Sequence, residues 1–530
     1  MSSRLLLVLL LAPLLACGEE VDPGIPITIF DAGNPSDLDA AELDATYPDA
    51  ATGPDAADDA GDDGGADAQL DGGPDGGPDA DLDGGALDAE PDTGVDGGEP
   101  DLGDLDGGGD AGPDLGLDAG PDAGLDVGVD AGLDAGPDAG PDAGYLPPPS
   151  GYQPTNIDTT FRHGQGVRLI DLDQDGDLDV VQAKSLDDAI DLYLNDGNAA
   201  SFTAVNIAMP GALVAMDATA ADFDGDGDVD LVGISLFQRS LGFNSPGDIV
   251  YYRNPGNPLG FWLAFPISLS SLYGMKKVES GDLSGDGIPD LVIGCDEAYD
   301  MQGNVAGVGV HMVVNGPGGS FGQPTPIDGT LGGVEVVAIA DVDRDGVLDV
   351  VAAGRNDDEV VWYENLRNAG DVVALPTFAR HTIANLSLPS GIAIGQVDPD
   401  VGLEIAVVQD DGTGGRLWLY DSPVDPTQLW NPTLIDGNFG GSGDNIRLAL
   451  ADLNRDGATD LAVASDFHDL VRAYIRQPLG AWQLQNISAL TGVVAIAAGD
   501  LDGDTYPDLV TSTYEFDPNF DRLTWWRTQP

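Results

Sequence analysis

The sequence is poor in cysteine, histidine and positive charge. Its two cysteines, Cys17 and Cys295, stand on opposite sides of a long polar tract. A disulfide framework therefore has no material to form from. Cys295 reads as a buried small hydrophobe. The four histidines are His163, His311, His381 and His468. None has a partner at metal-ligand spacing on a helix. His163 and His381 each follow an arginine and read as strand-surface positions. Lys and Arg number 19 against 93 Asp and Glu, for a formal net charge of -74. Nucleic acid is disfavoured as a partner, because binding it needs a basic footprint. The basic doublet Lys276-Lys277 reads as a solvated loop. There is no nucleophile elbow, phosphate loop or Cys/His pair. No long stretch has helical period.

What is present begins with the amino terminus. A short basic start at Arg4 leads into the apolar stretch Leu5 to Leu15, too short to span a bilayer and shaped like a secretory signal. It ends in Leu14-Leu15-Ala16-Cys17, which resembles the bacterial lipobox. The resemblance implies a signal peptide over residues 1–16, lipidation of Cys17, and attachment to a membrane through the acyl chains. Gly18 follows the cysteine where an aspartate would retain the protein at the inner membrane. The outer membrane or the cell surface is the expected location.

Residues 17–150 carry 37 acidic residues and no Lys or Arg. Most of the stretch is Asp, Gly, Ala, Pro and Leu. Towards its end Asp recurs every fourth residue, from Asp114 to Asp142. Gly and Pro within each unit forbid a helix, and the low hydrophobicity and like charge predict disorder. Flexible-coil scaling gives such a tether a span of roughly 60 Å. The expected role is a spacer between an anchor and a folded domain.

Residues 151–530 are organised by a nine-residue acidic loop. Carboxylates at positions one, three, five and nine point at one centre, and a glycine at position six permits the turn. Oxygen ligands packed so densely repel one another unless a cation lies among them, and Ca²⁺ takes six to eight oxygens. The copies start at 171, 222, 282, 341, 396, 452 and 500, a spacing of 48 to 60 residues. The candidate ligands are Asp171, Asp173, Asp175, Asp177 and Asp179; Asp222, Asp224, Asp226, Asp228 and Asp230; Asp282, Ser284, Asp286 and Asp290; Asp341, Asp343, Asp345 and Asp349; Asp452, Asn454, Asp456 and Asp460; and Asp500, Asp502, Asp504 and Asp508. The copies are unequal. Those at 171, 222 and 341 are complete. Ser284 and Asn454 replace a carboxylate, and Thr505 stands where glycine is wanted. The copy Gln396 to Glu404 lacks the first carboxylate and has Val401 at position six, so it is expected to be empty or nearly so.

Around each loop the order of parts repeats: an apolar strand, the loop, a second apolar strand, an aromatic strand such as Val361-Trp-Tyr363, and a more polar fourth. Four antiparallel strands per repeat make one propeller blade, and seven repeats predict seven blades. The last repeat stops after its aromatic strand at Leu523 to Trp526. Tyr152 to Ile157 matches the fourth strand Trp482 to Ile487. The amino-terminal strand is therefore predicted to complete the last blade and close the ring.

The loop, followed by two apolar residues, resembles the FG-GAP and VCBS repeats of integrin α-subunit propellers and of many secreted bacterial proteins. The resemblance covers residues 152 to 530. It implies Ca²⁺ bound by side chains at positions one, three, five and nine and by the main-chain carbonyl at position seven. An EF-hand is excluded, since position twelve is never Glu. Closed carboxylate cages leave little room for a substrate, so the metals are read as pinning the blade hairpins.

Two functional readings stay open. One is a calcium-stabilised binding module on a lipid tether, recognising an extracellular protein or a polysaccharide. The other is a carbohydrate-active enzyme, a lyase or hydrolase, working on the propeller face. The insertions Leu236 to Gly247 and Asp296 to Gly307 are the expected contact surface.

Overall fold

The structure is a computed structural model. It describes residues 148–530, apart from 210–211, 239–244, 269–271, 300–304, 411–414, 439–445, 467–468 and 515–520. Cys17, the leader, nearly all of the acidic tract, His468 and the middle of both insertions lie outside the described residues.

Apolar runs bounded by Gly, Asn and Asp form seven four-stranded antiparallel sheets. The first contains Gly164–Ile170, Asp179–Lys184, Ala189–Asn195 and Phe202–Ala208 in sequence order. The same order recurs in the next five. The third sheet also carries a short hairpin of Ala298–Tyr299 with Val305–Ala306. The first strands of neighbouring sheets contact one another around the ring. The last of them, Val493–Gly499, meets the first, Gly164–Ile170.

The seventh sheet closes as expected. Gly151–Asp158 pairs antiparallel with Leu523–Gln529, with Tyr152 opposite Thr528 and Thr155 opposite Trp525. The two ends of the domain thus share one sheet, and the ring has no open seam.

No central apolar mass exists among the described residues. Instead seven apolar clusters lie one between each pair of adjacent sheets. The cluster joining the seventh sheet to the first contains Phe161, Val180, Tyr193, Val510, Leu523 and Trp525. Cys295 is buried in the cluster between the second and third sheets. Burial raises its thiol pKa, so it is an inert core residue.

The innermost strands line a cavity of about 330 Å³. Its charged lining is Asp217, Lys276, Lys277 and Glu279 from the second and third sheets, Glu335 from the fourth and Arg447 from the sixth, and Arg168 of the first sheet ties into this cluster. The Arg168 guanidinium lies 2.9 Å from Glu279 and 3.2 Å from Asp217. Lys277 Nζ is 3.1 Å from Asp217 and 3.4 Å from Glu279. This corrects the sequence reading of the Lys276-Lys277 doublet as a solvated loop. Both lysines sit in the strand Met275–Gly281, and the carboxylates that hold Lys277 come from positions remote in sequence or hidden in a strand pattern. The basic partners hold the Asp217 carboxyl below its usual pKa despite burial. Buried charges of this kind require such pairing.

Candidate metal centres

Each acidic loop joins the first strand of a blade to its second. In six of the seven its backbone shape follows from two left-handed residues. Position six is Gly176 at φ 97°, Gly227 at 93°, Gly287 at 83°, Gly346 at 83° and Gly457 at 84°. In the last loop Thr505 is held at φ 76°, a conformation that strains a β-branched residue. Position four is left-handed as well, at Gln174, Gly225, Gly285, Arg344, Arg455 and Gly503.

With the chain so bent, the loop's amides turn onto its own carboxylates. Asp171 accepts from the N–H of Asp175 and Gly176, both at 3.1 Å. Asp222 does the same for Gly225, Asp226 and Gly227. Asp341 accepts from Asp345 and Gly346. Position three accepts from the N–H of position five, as Asp343 does from Asp345 at 3.2 Å. Position five accepts from the N–H of position seven, as Asp345 does from Val347 at 2.9 Å.

Position nine has a different role. Asp179, Asp230, Asp290, Asp460 and Asp508 are wholly buried, and Asp349 is 1% exposed. One oxygen accepts from the N–H of position two and the other from an N–H in the third strand or just past its end. For Asp179 the donors are Leu172 at 2.9 Å and Asn195 at 2.7 Å. For Asp349 they are Val342 at 3.0 Å and Asn365 at 2.8 Å. Asp460 takes Leu453 and Arg476, and Asp508 takes Leu501 and Thr528. This carboxylate is a pin from loop to third strand. Burial pushes its pKa up to about 7 in Asp179, Asp230, Asp290, Asp349 and Asp508, and to about 8 in Asp460. Neighbouring carboxylates add to the rise, and the amide bonds oppose it.

Among the described residues, carboxylate oxygens gather within 4.8 Å of one another at Asp171, Asp173 and Asp179; at Asp222, Asp224 and Asp226; at Asp341, Asp343 and Asp349; at Asp398, Asp400 and Glu404; and at Asp500, Asp502 and Asp504. Asp175, Asp230, Asp345 and Asp508 sit in the same loops but outside those triplets. The loops Asp282–Asp290 and Asp452–Asp460 form no such triplet, in keeping with Ser284 and Asn454 at position three. The side chains of Asp177 and Asp228 turn towards Gly197 and Gly256 in the connections from third to fourth strand. That leaves the position-seven carbonyl as the ligand the loop offers there.

Do these groups fit Ca²⁺? The donors are all hard oxygens, and several have unused capacity. Asp500 Oδ1, Ser284 Oγ and Glu404 Oε1 are shut away from solvent with no hydrogen-bond partner. A hard cation supplies what they lack.

The copy Gln396 to Glu404 departs further than its missing glycine predicts. Pro399 occupies position four, where its ring forbids a left-handed φ. The Gln396 amide donates to the main-chain oxygens of Asp398 at 2.5 Å and Asp400 at 2.6 Å. Glu404 still pins position two, accepting from Val397 at 2.5 Å, and burial pushes its pKa up to about 7.

Two sets of residues escaped the sequence reading. Asn195, Asn315 and Asn365 cross between blades. Asn365 Nδ2 donates to Leu348 O in its own loop and to Leu283 O in the preceding one, at 3.1 and 2.9 Å. Asn195 reaches Leu501 O and Asn315 reaches Phe223 O in the same way. A repeated Asn at the end of the third strand was the available signal. The second set is Arg253 and Arg527, whose guanidinium groups lie against positions three and five of their loops.

The three described histidines do not converge. His311 is buried, which lowers its pKa. His381 lies in the strand Phe378–Asn385, stacked on Trp362 and 2.8 Å from Glu364. His163 was expected on a strand. It lies just before the strand Gly164–Ile170, at φ 54°, and packs against Tyr514.

An FG-GAP-like repeat family matches residues 171–233 and 452–511. Each matched segment begins at one acidic loop and ends just past the next. No curated protein matches the chain. Among solved structures, BBS1N in complex with ARL6DN is similar at 12% identity in two crystals. These were soaked with mercury (TM-score 0.42) and with lead (TM-score 0.39). In both, the alignment covers 72% of this chain and 96% of that one. The described residues thus form a seven-bladed all-β propeller, and it carries FG-GAP-like repeats.

Proposed function

We propose that this propeller is a calcium-stabilised recognition module, displayed outside the cell on a lipid anchor at Cys17 and an acidic spacer. FG-GAP propellers often serve in protein recognition, and the partner expected here is an extracellular protein or a polysaccharide. The observation that carries the reading is the state of the acidic side chains. They fold onto their own loop amides and onto the blade behind them. Groups so committed suit holding a cation and bracing a blade better than transferring protons to a substrate. The connections between second and third strands lie at the opposite end of the blades from the acidic loops and offer a broad face for a large partner. Calcium supplies rigidity at the loop end, and the carboxylates of positions one and three, with position five or nine, supply its ligands.

The test is a binding and turnover panel. The purified protein with Ca²⁺ is offered immobilised polysaccharides and extracellular proteins, and the polysaccharide arms are assayed for new reducing ends or unsaturated products. Saturable binding without turnover is expected. Steady turnover abolished by one substitution outside the acidic loops would overturn the reading in favour of a carbohydrate-active enzyme. In a second arm, fatty-acid labelling should mark the wild type and be lost in Cys17→Ala.

A further inference from the structure

The register of the second and third strands places one side chain beside position nine of every loop. Leu231 pairs with Tyr252 and Leu509 with Trp526, so Arg253 and Arg527 come next, opposite Asp230 and Asp508. The corresponding residues in the other blades are Leu194, Val314, Glu364, Asp421 and Ile475. One position thus varies in charge from blade to blade while the loop it faces stays acidic.

The two arginines use the position in the same way. Arg253 Nε is 2.7 Å from Asp224 Oδ2, and its Nη2 is 2.7 Å from Asp226 Oδ2. Arg527 Nε is 2.5 Å from Asp502 Oδ2, and its Nη2 is 3.2 Å from Asp504 Oδ2. Each guanidinium therefore bridges positions three and five, the carboxylates a cation would draw together. Glu364 does the opposite. It places a negative charge at the same register position, opposite Asp349.

We propose that Arg253 and Arg527 are tethered counter-ions that make the loops Asp222–Asp230 and Asp500–Asp508 weaker Ca²⁺ sites than Asp171–Asp179 and Asp341–Asp349. This rests on the reading that the loops bind Ca²⁺. From the residues of the loop alone, Asp222–Asp230 ranks with the strongest, having a carboxylate at every odd position. The arginine lowers that rank, because ligand charge tunes affinity in oxygen cages. A divalent ion and a guanidinium about 5 Å apart in a water-like medium repel enough to weaken binding about tenfold. The ring then fills in two steps, and the second step leaves each arginine to find new partners at the rim of its loop.

The test is competition with a chromophoric Ca²⁺ chelator at low ionic strength, on the full chain as wild type, Arg253→Leu, Arg527→Leu and Leu194→Arg. The blade that naturally carries leucine supplies the replacement, and Arg253 is nearly half exposed, so folding should survive; far-UV circular dichroism checks it. Each Arg→Leu change should tighten one weak site about tenfold, and Leu194→Arg should weaken one strong site by a similar factor. Arg253→Lys, which keeps the charge, should stay near wild type. Wild-type filling in which all three charge-changing variants keep their affinities would overturn the proposal and leave the calcium reading intact. A wild type that takes up no Ca²⁺ would overturn both.

Discussion

The neighbouring loops Asp341–Asp349 and Gln396–Glu404 differ in most of the features that define the repeat, yet both blades form. The first has four carboxylates, left-handed residues at positions four and six, and amides turned onto Asp341. The second has Pro399 and Val401 at those positions, and its first side chain is an amide. What they share is the buried acid at position nine that accepts from the N–H of position two. The comparison separates two jobs within one motif. Position nine pins the loop to its blade and is part of the fold. The carboxylates around it form a cluster that includes position nine in both loops, and its first member is the part the fold can lose.

The comparison can be broken in several ways, and pH should act most strongly because every pin titrates at once. In chelator the pins have folded pKa values of about 7 to 8 against an ordinary carboxyl value of 3.8. The folded state holds the extra protons, so their stabilisation is complete below about pH 4 and is lost as pH rises through 7. Ca²⁺ binds the ionised cage and opposes that loss. The gap between melting temperatures with Ca²⁺ and with chelator should widen steadily from pH 5 to 7.5. A gap that narrows with rising pH would show that the pins do not titrate with folding.

Asp349→Ala should come next. It strips two buried amides of their acceptor and should cost about 3 kcal/mol in chelator, and more in Ca²⁺, since Asp349 also belongs to a carboxylate triplet. Glu404→Ala should cost a comparable amount, although its cage is degenerate. Urea denaturation of the two variants measures this directly. A large loss in the first and none in the second would show that the pin depends on the cage.

The smallest effect is expected at Thr505. Replacing it with glycine relieves the φ of 76° but loosens the unfolded chain, for a net gain of about 0.5–1 kcal/mol. The same change at Val401, where no left-handed residue is required, should gain nothing.

Much of this was legible in the sequence because repeats put the same residue at the same place many times. Seven aspartate-rich loops predicted seven blades, and the match of Tyr152–Ile157 to a fourth strand predicted the closing sheet. What stayed hidden depended on register across strands. Arg253 and Arg527 look like ordinary surface arginines until the pairing of the second and third strands sets them beside their loops. Lys277 looked like part of a solvated doublet, since its partners Asp217 and Glu279 belong to two different blades or lie two residues along its own strand. The split between pin and cage was invisible for a similar reason. Both are aspartates in one motif, and only the amides they accept from distinguish them.

The measurement that tests the account most directly is the melting temperature of the purified protein in about 1 mM Ca²⁺ and in excess chelator, for wild type beside Asp343→Ala. Extracellular Ca²⁺ sites with dissociation constants near 10⁻⁴ M each contribute about 1.4 kcal/mol at that concentration. The account predicts that chelator lowers the wild-type melt by several degrees. Asp343→Ala should lose part of that calcium-dependent gain while melting near wild type in chelator. A wild-type melt that chelator leaves unchanged would contradict it.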